Sequence, residues 1–266
     1  MINMIALDLD NTLLTNDKRI SQRNEQALKK LHEAGMMVVL CTGRPINAIW
    51  KYIEQLGLTS DLDYTITFNG ALVIHNTDKK VLAKQGLKLT GLAPLYEFAK
   101  QHEFPLDVLD FDQVYPVSDL TPSIYQQMLG ASMNYTPTPF AKLGDGLFSK
   151  AVMASQREKI DLVQATLDQN MTAHYHIVRS QPQIIEFLDH DMDKAVGLLE
   201  LLTHFNWTYD NLMTFGDAEN DLGMIKAAKV GVSMANGTDE IKQAANEITL
   251  SNEDDGVAAF TDGFFK

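Results

Sequence analysis

The sequence predicts an α/β protein built on a doubly wound parallel sheet, with an α+β domain inserted into it. Three observations carry that prediction. Apolar strand-like runs alternate with helical runs at both ends of the chain, and three of those runs turn polar within a residue of ending. From about Leu82 to Phe187 the pattern changes to short strands separated by helices.

Taken in order, Ile5-Ala6-Leu7 is a short continuous apolar run that reads as a buried strand, and Asp8-Leu9-Asp10-Asn11-Thr12 follows at once. Ser21 can cap a helix in which Ala27, Leu28, Leu31 and Ala34 recur at helical spacing before Gly35 ends it. Met36 to Leu40 is the second strand and leads into Cys41-Thr42-Gly43-Arg44-Pro45, where Gly43 permits close backbone approach and Pro45 suits a first helical turn. That helix runs towards Leu56 and stops at Gly57, and Tyr64 to Phe68 is the third strand. In the middle, strands are expected at Asp107 to Leu109, Phe148 to Met153, Ala173 to Val178 and Gln183 to Leu188. Helices at Ala93 to Lys100 and Glu158 to Leu167 would cover one face of that antiparallel sheet. Tyr135 to Gly146, with two prolines and two glycines, reads as its most variable part. The core is therefore expected at 1–82 and 189–266, and the insertion at 83–188. On the return to the core, Lys194 opens the apolar helical pattern Ala195, Leu198, Leu199, Leu201, Leu202. Leu212 to Phe215 then leads into Gly216-Asp217-Ala218-Glu219-Asn220-Asp221.

Composition narrows the function classes. With 266 residues, 45% of them hydrophobic, the chain can bury a sizeable core in two domains. A net charge of −13 argues against non-specific nucleic-acid binding, which needs a basic footprint. The run Met1 to Leu7 is too short and uncharged for a signal peptide, and no stretch is long enough to span a membrane. A single cysteine, Cys41, cannot form an internal disulfide and fits a reducing cytoplasm. It reads as a buried strand-end thiol, with no histidine near it in sequence to activate it as a nucleophile. His174 and His176, two apart in an expected strand, would project to one face as an edge pair without metal. The methionines, Met36, Met37, Met128 and Met133 among them, read as packing residues. Neither a P-loop nor a dinucleotide signature is present.

The strand ends carry the chemistry. Ligands of open parallel sheets bind at the carboxyl ends of the strands, where this chain places Asp8, Asp10 and Asp217. Two carboxylates about 4 Å apart repel by roughly 1 kcal/mol in water and about 4 kcal/mol at an effective dielectric near 20. A divalent cation removes that repulsion. Oxygen-only ligands select a hard ion, and Mg²⁺, which takes one or two carboxylates plus substrate phosphate, suits Asp8, Asp217 and the backbone carbonyl of Asp10. Thr42 and the backbone N–H groups around Gly43 would face an anion, and Lys194 offers a cation. The ligand these groups point to is a phosphate ester.

With those four segments in this order, the chain resembles the haloacid dehalogenase superfamily, specifically its Cof-type phosphatases with a type IIB cap. The motifs are Asp8-Leu9-Asp10-Asn11-Thr12, Thr42-Gly43-Arg44, Lys194, and Gly216 to Asp221. Val232 to Thr238, Ser251 to Val257 and the Asn69-Gly70-Ala71 entry to the insertion also look like this subfamily. The resemblance implies that Asp8 is the nucleophile that takes up the phosphoryl group, and that Asp10 first protonates the leaving alkoxide and later deprotonates water. It places the substrate phosphate at Leu9, Thr42, Gly43, Lys194 and Asn220, and Mg²⁺ at Asp8, Asp10 and Asp217. Asp221 would hold the metal site from behind, or else serve as a first-turn carboxylate favoured by the helix dipole. Arg44 reads as a structural ion-pair partner. Departures are Asn11 and Ala195, each where glycine is usual; Ala195 would tighten the turn at Lys194. The insertion would act as a cap that selects the leaving group, hinged near Ala83 to Gly86 and Leu188 to Asp191.

The expected activity is Mg²⁺-dependent hydrolysis of small phosphorylated metabolites, sugar phosphates foremost, in the cytoplasm. A phosphosugar mutase using the same intermediate and a non-catalytic phosphate-ligand sensor remain as alternatives, and a monomer and a homodimer are equally compatible with the sequence.

Overall fold

In the first strand, β1 (Met4–Leu7), every residue is buried, yet the four serve two different cores: Ile5 and Leu7 on one face, Met4 and Ala6 on the other. That alternation is what a sheet covered by helices on both sides demands. The computed structural model describes residues 1–129 and 133–265. They fall into two compact units, Met1–Lys84 with Asp193–Lys266, and Gln85–Met192.

The first unit begins β1, α1 (Gln22–Glu33), β2 (Met37–Cys41), α2 (Ile46–Leu56), β3 (Tyr64–Thr67), β4 (Leu72–His75) and β5 (Val81–Lys84). Ser21 caps α1 by accepting from Asn24 N, and Gly57 ends α2 in a left-handed conformation, φ 71°. Pro45 is the cap of α2, one position before its first turn.

The second unit holds β6 (Leu87–Lys88), α3 (Leu89–Gln101), β7 (Asp107–Leu109), β8 (Gln113–Pro116), α4 (Tyr125–Leu129), β9 (Asn134–Tyr135), β10 (Leu147–Phe148) and β11 (Lys150–Ala154). It closes with α5 (Arg157–Thr166), α6 (Gln169–His174), β12 (Tyr175–Gln181) and β13 (Ile184–Asp189). Its main sheet runs β12-β13-β11-β7-β8-β9 and is antiparallel except for the β8–β9 pair. Leu92 and Leu95 of α3 and Ile160 and Val163 of α5 pack with Val108, Ala151, Met153 and Phe187 on one face. Tyr125 of α4 joins Leu109, Val152 and Ile184 on the other.

Two expectations are corrected here. His174 and His176 do not share a strand: Asp168 caps α6 by accepting from Met171 N, the helix runs on to His174, and β12 begins at Tyr175. The expected strand Phe148 to Met153 is broken at Ser149, whose hydroxyl bonds the carbonyls of Leu109 and Asp110, so β10 pairs with β6 while β11 pairs with β7 and β13. In the loop-rich stretch, Thr136 N and Thr138 N bond the carbonyls of Val114 and Pro116 and extend the sheet edge.

The chain returns to the first unit with α7 (Lys194–His204), β14 (Leu212–Gly216), α8 (Leu222–Ala227), β15 (Val230–Ser233), α9 (Asp239–Ala244), β16 (Glu247–Ile248) and α10 (Gly256–Phe264). The sheet order is β16-β15-β14-β1-β2-β3-β4-β5, with the first six strands parallel and β4 and β5 added antiparallel at one edge. From β1 the chain winds outward through β2 and β3, and from β14 it winds the other way through β15 and β16. The strand order therefore reverses between β1 and β14, the position at which open α/β sheets bind ligands. Helices α1, α2 and α10 cover one face; α7 and α8 cover the other.

Candidate active site

Because β1 and β14 are parallel neighbours in register, with Leu7 opposite Phe215, the residues just beyond them emerge side by side. Asp8 N bonds Phe215 O at 3.1 Å, which places Asp8 against the turn that carries Asp217. Asp8, Asp217 and Asp221 each offer a carboxylate oxygen within 4.8 Å of the others, and all three are buried.

Lys194 is fully buried in this cluster. Its Nζ donates to Asp8 Oδ1 at 2.5 Å and to Asp221 Oδ1 at 2.6 Å. The second oxygen of Asp221 accepts from the backbone N–H groups of Asp217 and Ala218, at 2.9 and 3.2 Å, so this side chain is committed to holding the lysine and the Asp217 turn. Asp217 Oδ1 accepts from the Thr12 hydroxyl at 2.9 Å.

Three carboxylates thus surround one ammonium. Burial, reinforced by the charges of Asp221 and Asp217, outweighs Lys194 and pushes Asp8 up to about 8. Burial and then Asp221 push Asp217 up to about 6. Burial alone would lower Lys194, but Asp221 and Asp8 dominate and hold it protonated. Burial raises the Cys41 thiol far above its ordinary range, which leaves no nucleophile there.

The lysine is located by its helix. Asp193 caps α7, its Oδ1 accepting from Ala195 N at 2.6 Å and Val196 N at 3.1 Å. A Cβ on Gly70 would lie 2.0 Å from Asp193 O, and one on Gly223 would lie 2.1 Å from Asp193 Oδ2, so the start of α7 rests on two bare backbones.

At the end of β2, Thr42 is 1% exposed, and its hydroxyl oxygen accepts from Arg44 N at 3.2 Å, which leaves its own proton to donate. Asn69 Oδ1 accepts from Asn220 Nδ2 at 3.3 Å and would lie 2.9 Å from a Cβ on Gly43. Asn69, in a left-handed conformation with φ 55°, therefore links Asn220 to the Thr42-Gly43 turn.

Asp10 stands apart from the carboxylate cluster. Its Oδ2 accepts from Arg44 Nε at 2.7 Å, and its Oδ1 accepts from Arg44 Nη2 at 2.5 Å and from Lys18 Nζ at 2.8 Å. Burial favours the neutral acid there, but Arg44 and Lys18 prevail and lower Asp10. Arg44 is thus an ion-pair partner, as the sequence reading has it. Leu9 buries its side chain in the core, so only its backbone is available to a ligand.

The structure therefore joins Asp8, Lys194, Asp217 and Asp221 directly, and Gly43 and Asn220 through Asn69. Three contacts were not read from the sequence. Thr12 lies inside the first motif, and only its bond to Asp217 is new. Asn69 was noted merely as the entry to the insertion. Lys18 belongs to no motif, and nothing local in the sequence points to it.

Residues 5–260 match the family model of haloacid dehalogenase-like hydrolases. The chain is 30% identical over 282 residues to the 5-amino-6-(5-phospho-D-ribitylamino)uracil phosphatase YitU of Bacillus subtilis, covering 98% of this chain and 97% of that protein. It is 29% identical over 269 residues to the pyridoxal phosphate phosphatase YbhA of Escherichia coli, covering 97% and 96%. Among solved structures, a haloacid dehalogenase-like hydrolase from Bacteroides thetaiotaomicron superposes with a TM-score of 0.83 at 29% identity, covering both chains fully.

Proposed function

We propose, for a chain that belongs to the haloacid dehalogenase-like hydrolases, that it hydrolyses small phosphorylated metabolites, sugar phosphates foremost, by way of a phosphoryl group carried on Asp8. The observation that carries this reading is the buried cluster of Asp8, Asp217 and Asp221 around the single Lys194. A fold gains nothing from such an excess of negative charge out of water, whereas a phosphate site that admits a cation uses it.

The residues present fit Mg²⁺. Asp8 and Asp217, both raised by burial among like charges, would hold it together with the main-chain carbonyl of Asp10, while Asp221 keeps Lys194 and the Asp217 turn in place. When bound, the ion neutralises charge on the carboxylates and on the phosphate.

Asp8 has one oxygen on Lys194, and its other oxygen attacks phosphorus in line. Lys194, the Thr42 hydroxyl and the backbone N–H groups of Leu9 and Gly43 orient the phosphoryl oxygens, with Asn220 as a further polar contact. Asp10 gives a proton to the leaving alkoxide and then accepts one from the water that cleaves the acyl phosphate. The cytoplasm is the compartment this chemistry suits, and no helix among the described residues is long and apolar enough to cross a membrane.

A panel of phosphorylated metabolites, assayed for free phosphate with Mg²⁺ and again with EDTA, tests the proposal. Turnover is expected with Mg²⁺ alone and is expected to fall on the order of 10⁴-fold or more in Asp8→Asn. Full turnover by Asp8→Asn removes that residue as nucleophile. Conversion of a sugar 1-phosphate to the 6-phosphate, in place of phosphate release, makes the enzyme a mutase.

A further inference from the structure

We infer that Asn69 is a positioning residue for the phosphate site: it fixes the amide of Asn220 so that an N–H, and not the carbonyl oxygen, is offered to the phosphoryl group. The inference rests on the reading of Asn220 and Gly43 as contacts of that group.

An asparagine amide has one accepting end and one donating end, and rotation about its last torsion exchanges them. An anion attracts one end and repels the other. Asn220 is half-buried in the turn after β14, and its Nδ2 donates to Asn69 Oδ1 at 3.3 Å. That acceptor keeps the amino end on the Asn69 side, spends one of its protons and leaves the other for a ligand. With no acceptor at position 69, both orientations of the Asn220 amide are open, and in one of them its oxygen meets the phosphoryl group.

The backbone around Asn69 is arranged to place it. β2 and β3 are parallel neighbours with Cys41 opposite Ile66, so the turns that follow them run side by side. Asn69 N donates to Thr42 O at 3.0 Å and ties the two turns together. The Asn69 amide then rests on Gly43: a Cβ there would come within 2.9 Å of Oδ1 and 3.1 Å of Nδ2, so only a bare position admits it. On its other flank, the turn packs on α7, where a Cβ on Gly197 would lie 2.8 Å from Gly70 O. Phe68, Asn69 and Gly70 take positive φ in succession, 52°, 55° and 102°, a conformation that residues other than glycine hold only where surrounding contacts enforce it. One long hydrogen bond between neutral amides adds little to the stability of the fold. The placement of Asn69 is better explained by what it does to Asn220.

The unaltered enzyme, Asn69→Gly, Asn220→Ala and the double variant form a cycle that tests this, each assayed for kcat/KM on 4-nitrophenyl phosphate and for inhibition by inorganic phosphate. Glycine takes a positive φ freely, so Asn69→Gly removes the acceptor and keeps the turn. It is expected to lose on the order of tenfold in kcat/KM and in affinity for inorganic phosphate, the scale of one hydrogen bond to a charged group. Asn220→Ala should lose as much or more. In the Asn220→Ala background, exchanging Asn69 for glycine should cost no more than about twofold, because no amide is left to orient. Losses that multiply in the double variant overturn the inference, as they would if the substitution acted without Asn220 or merely disturbed the fold, and so does no loss in Asn69→Gly. Asn69→Ser, whose hydroxyl is too short to reach Asn220, takes the place of the glycine variant in the cycle if that one does not fold. An Asn220→Ala enzyme with unchanged affinity for inorganic phosphate removes Asn220 from the site and the role of Asn69 with it. Failure of the unaltered enzyme to release phosphate from any ester is a different result, and it overturns the reading on which both depend.

Discussion

Each unit of this protein buries a lysine against carboxylate, and the two arrangements differ in one respect. In the second unit, Lys150 Nζ donates to Glu186 Oε2 at 2.7 Å, and the other oxygen of Glu186 accepts from Ser180 Oγ at 2.9 Å. The charges match one to one. In the first unit Lys194 faces Asp8 and Asp221 directly, with Asp217 beside them. Both lysines are held protonated, against burial, by their neighbours' charges. Only the second unit's pair is complete as it stands; the first unit's cluster needs something more to balance it. Burial and ion pairing alone do not distinguish a structural pair from a reactive site, but uncompensated charge does.

The largest effect expected from this contrast is at Lys194. Lys194→Met leaves three buried carboxylates without a cation, and kcat/KM on 4-nitrophenyl phosphate should fall by about 10²–10³ or more, the scale seen when one preorganised donor is removed. Urea unfolding should show a loss of about 3–5 kcal/mol without added metal, partly recovered in Mg²⁺. Lys150→Met should cost a similar 3–5 kcal/mol, because Glu186 is left buried and unpaired, yet leave kcat/KM for the same ester within about threefold and gain nothing from Mg²⁺. Replacing Glu186 by Gln in the Lys150→Met background should return much of that stability. The contrast fails if Mg²⁺ rescues the Lys150 variant, or if the two lysines affect turnover equally.

A smaller effect sharpens the comparison within the second unit. Asp107 is 1% exposed, with Oδ2 unpartnered, and burial pushes it up to about 6, opposed by the hydroxyl of Ser123. Its folded pKa lies above its ordinary 3.8, so between those values the unfolded chain ionises while the folded chain still holds the proton. Stability relative to Asp107→Asn should therefore decline as pH rises from about 4 to about 6 and stay level above, by up to about 3 kcal/mol at about 1.4 kcal/mol per unit. Melting temperatures of both proteins from pH 4.5 to 8 check this. A difference that does not vary with pH would mean that Asp107 ionises alike in both states.

The strand ends were legible because Ile5 to Leu7 is apolar without interruption, Leu212 to Phe215 is apolar except for Thr214, and both turn polar within a residue of ending, which puts Asp8 and Asp217 at the strand ends. Thr42 was readable for the same reason. Lys194 carried no such local signal, and its place in the order of motifs identified it. What the sequence concealed depended on register and on backbone conformation. The pairing of Lys150 with Glu186 follows from the alignment of β11 with β13, which no single segment encodes. Lys18 reaches Asp10 through a left-handed residue in a short hairpin. Asp168 turned part of an expected strand into a short helix ending at His174, because a side-chain cap within six residues outweighed a weak alternating pattern.

The glycines beneath α7 give Lys194 an unusual genetic exposure. Gly70 and Gly223 are remote from each other in sequence, neither has a side chain to offer a ligand, and each lies where a single methyl group would collide with Asp193. Displacing that cap swings the ammonium with it, and misplacement by about 1 Å can cost on the order of 10²-fold in rate. Inactivating substitutions would therefore gather at positions that no inspection of substrate contacts would single out.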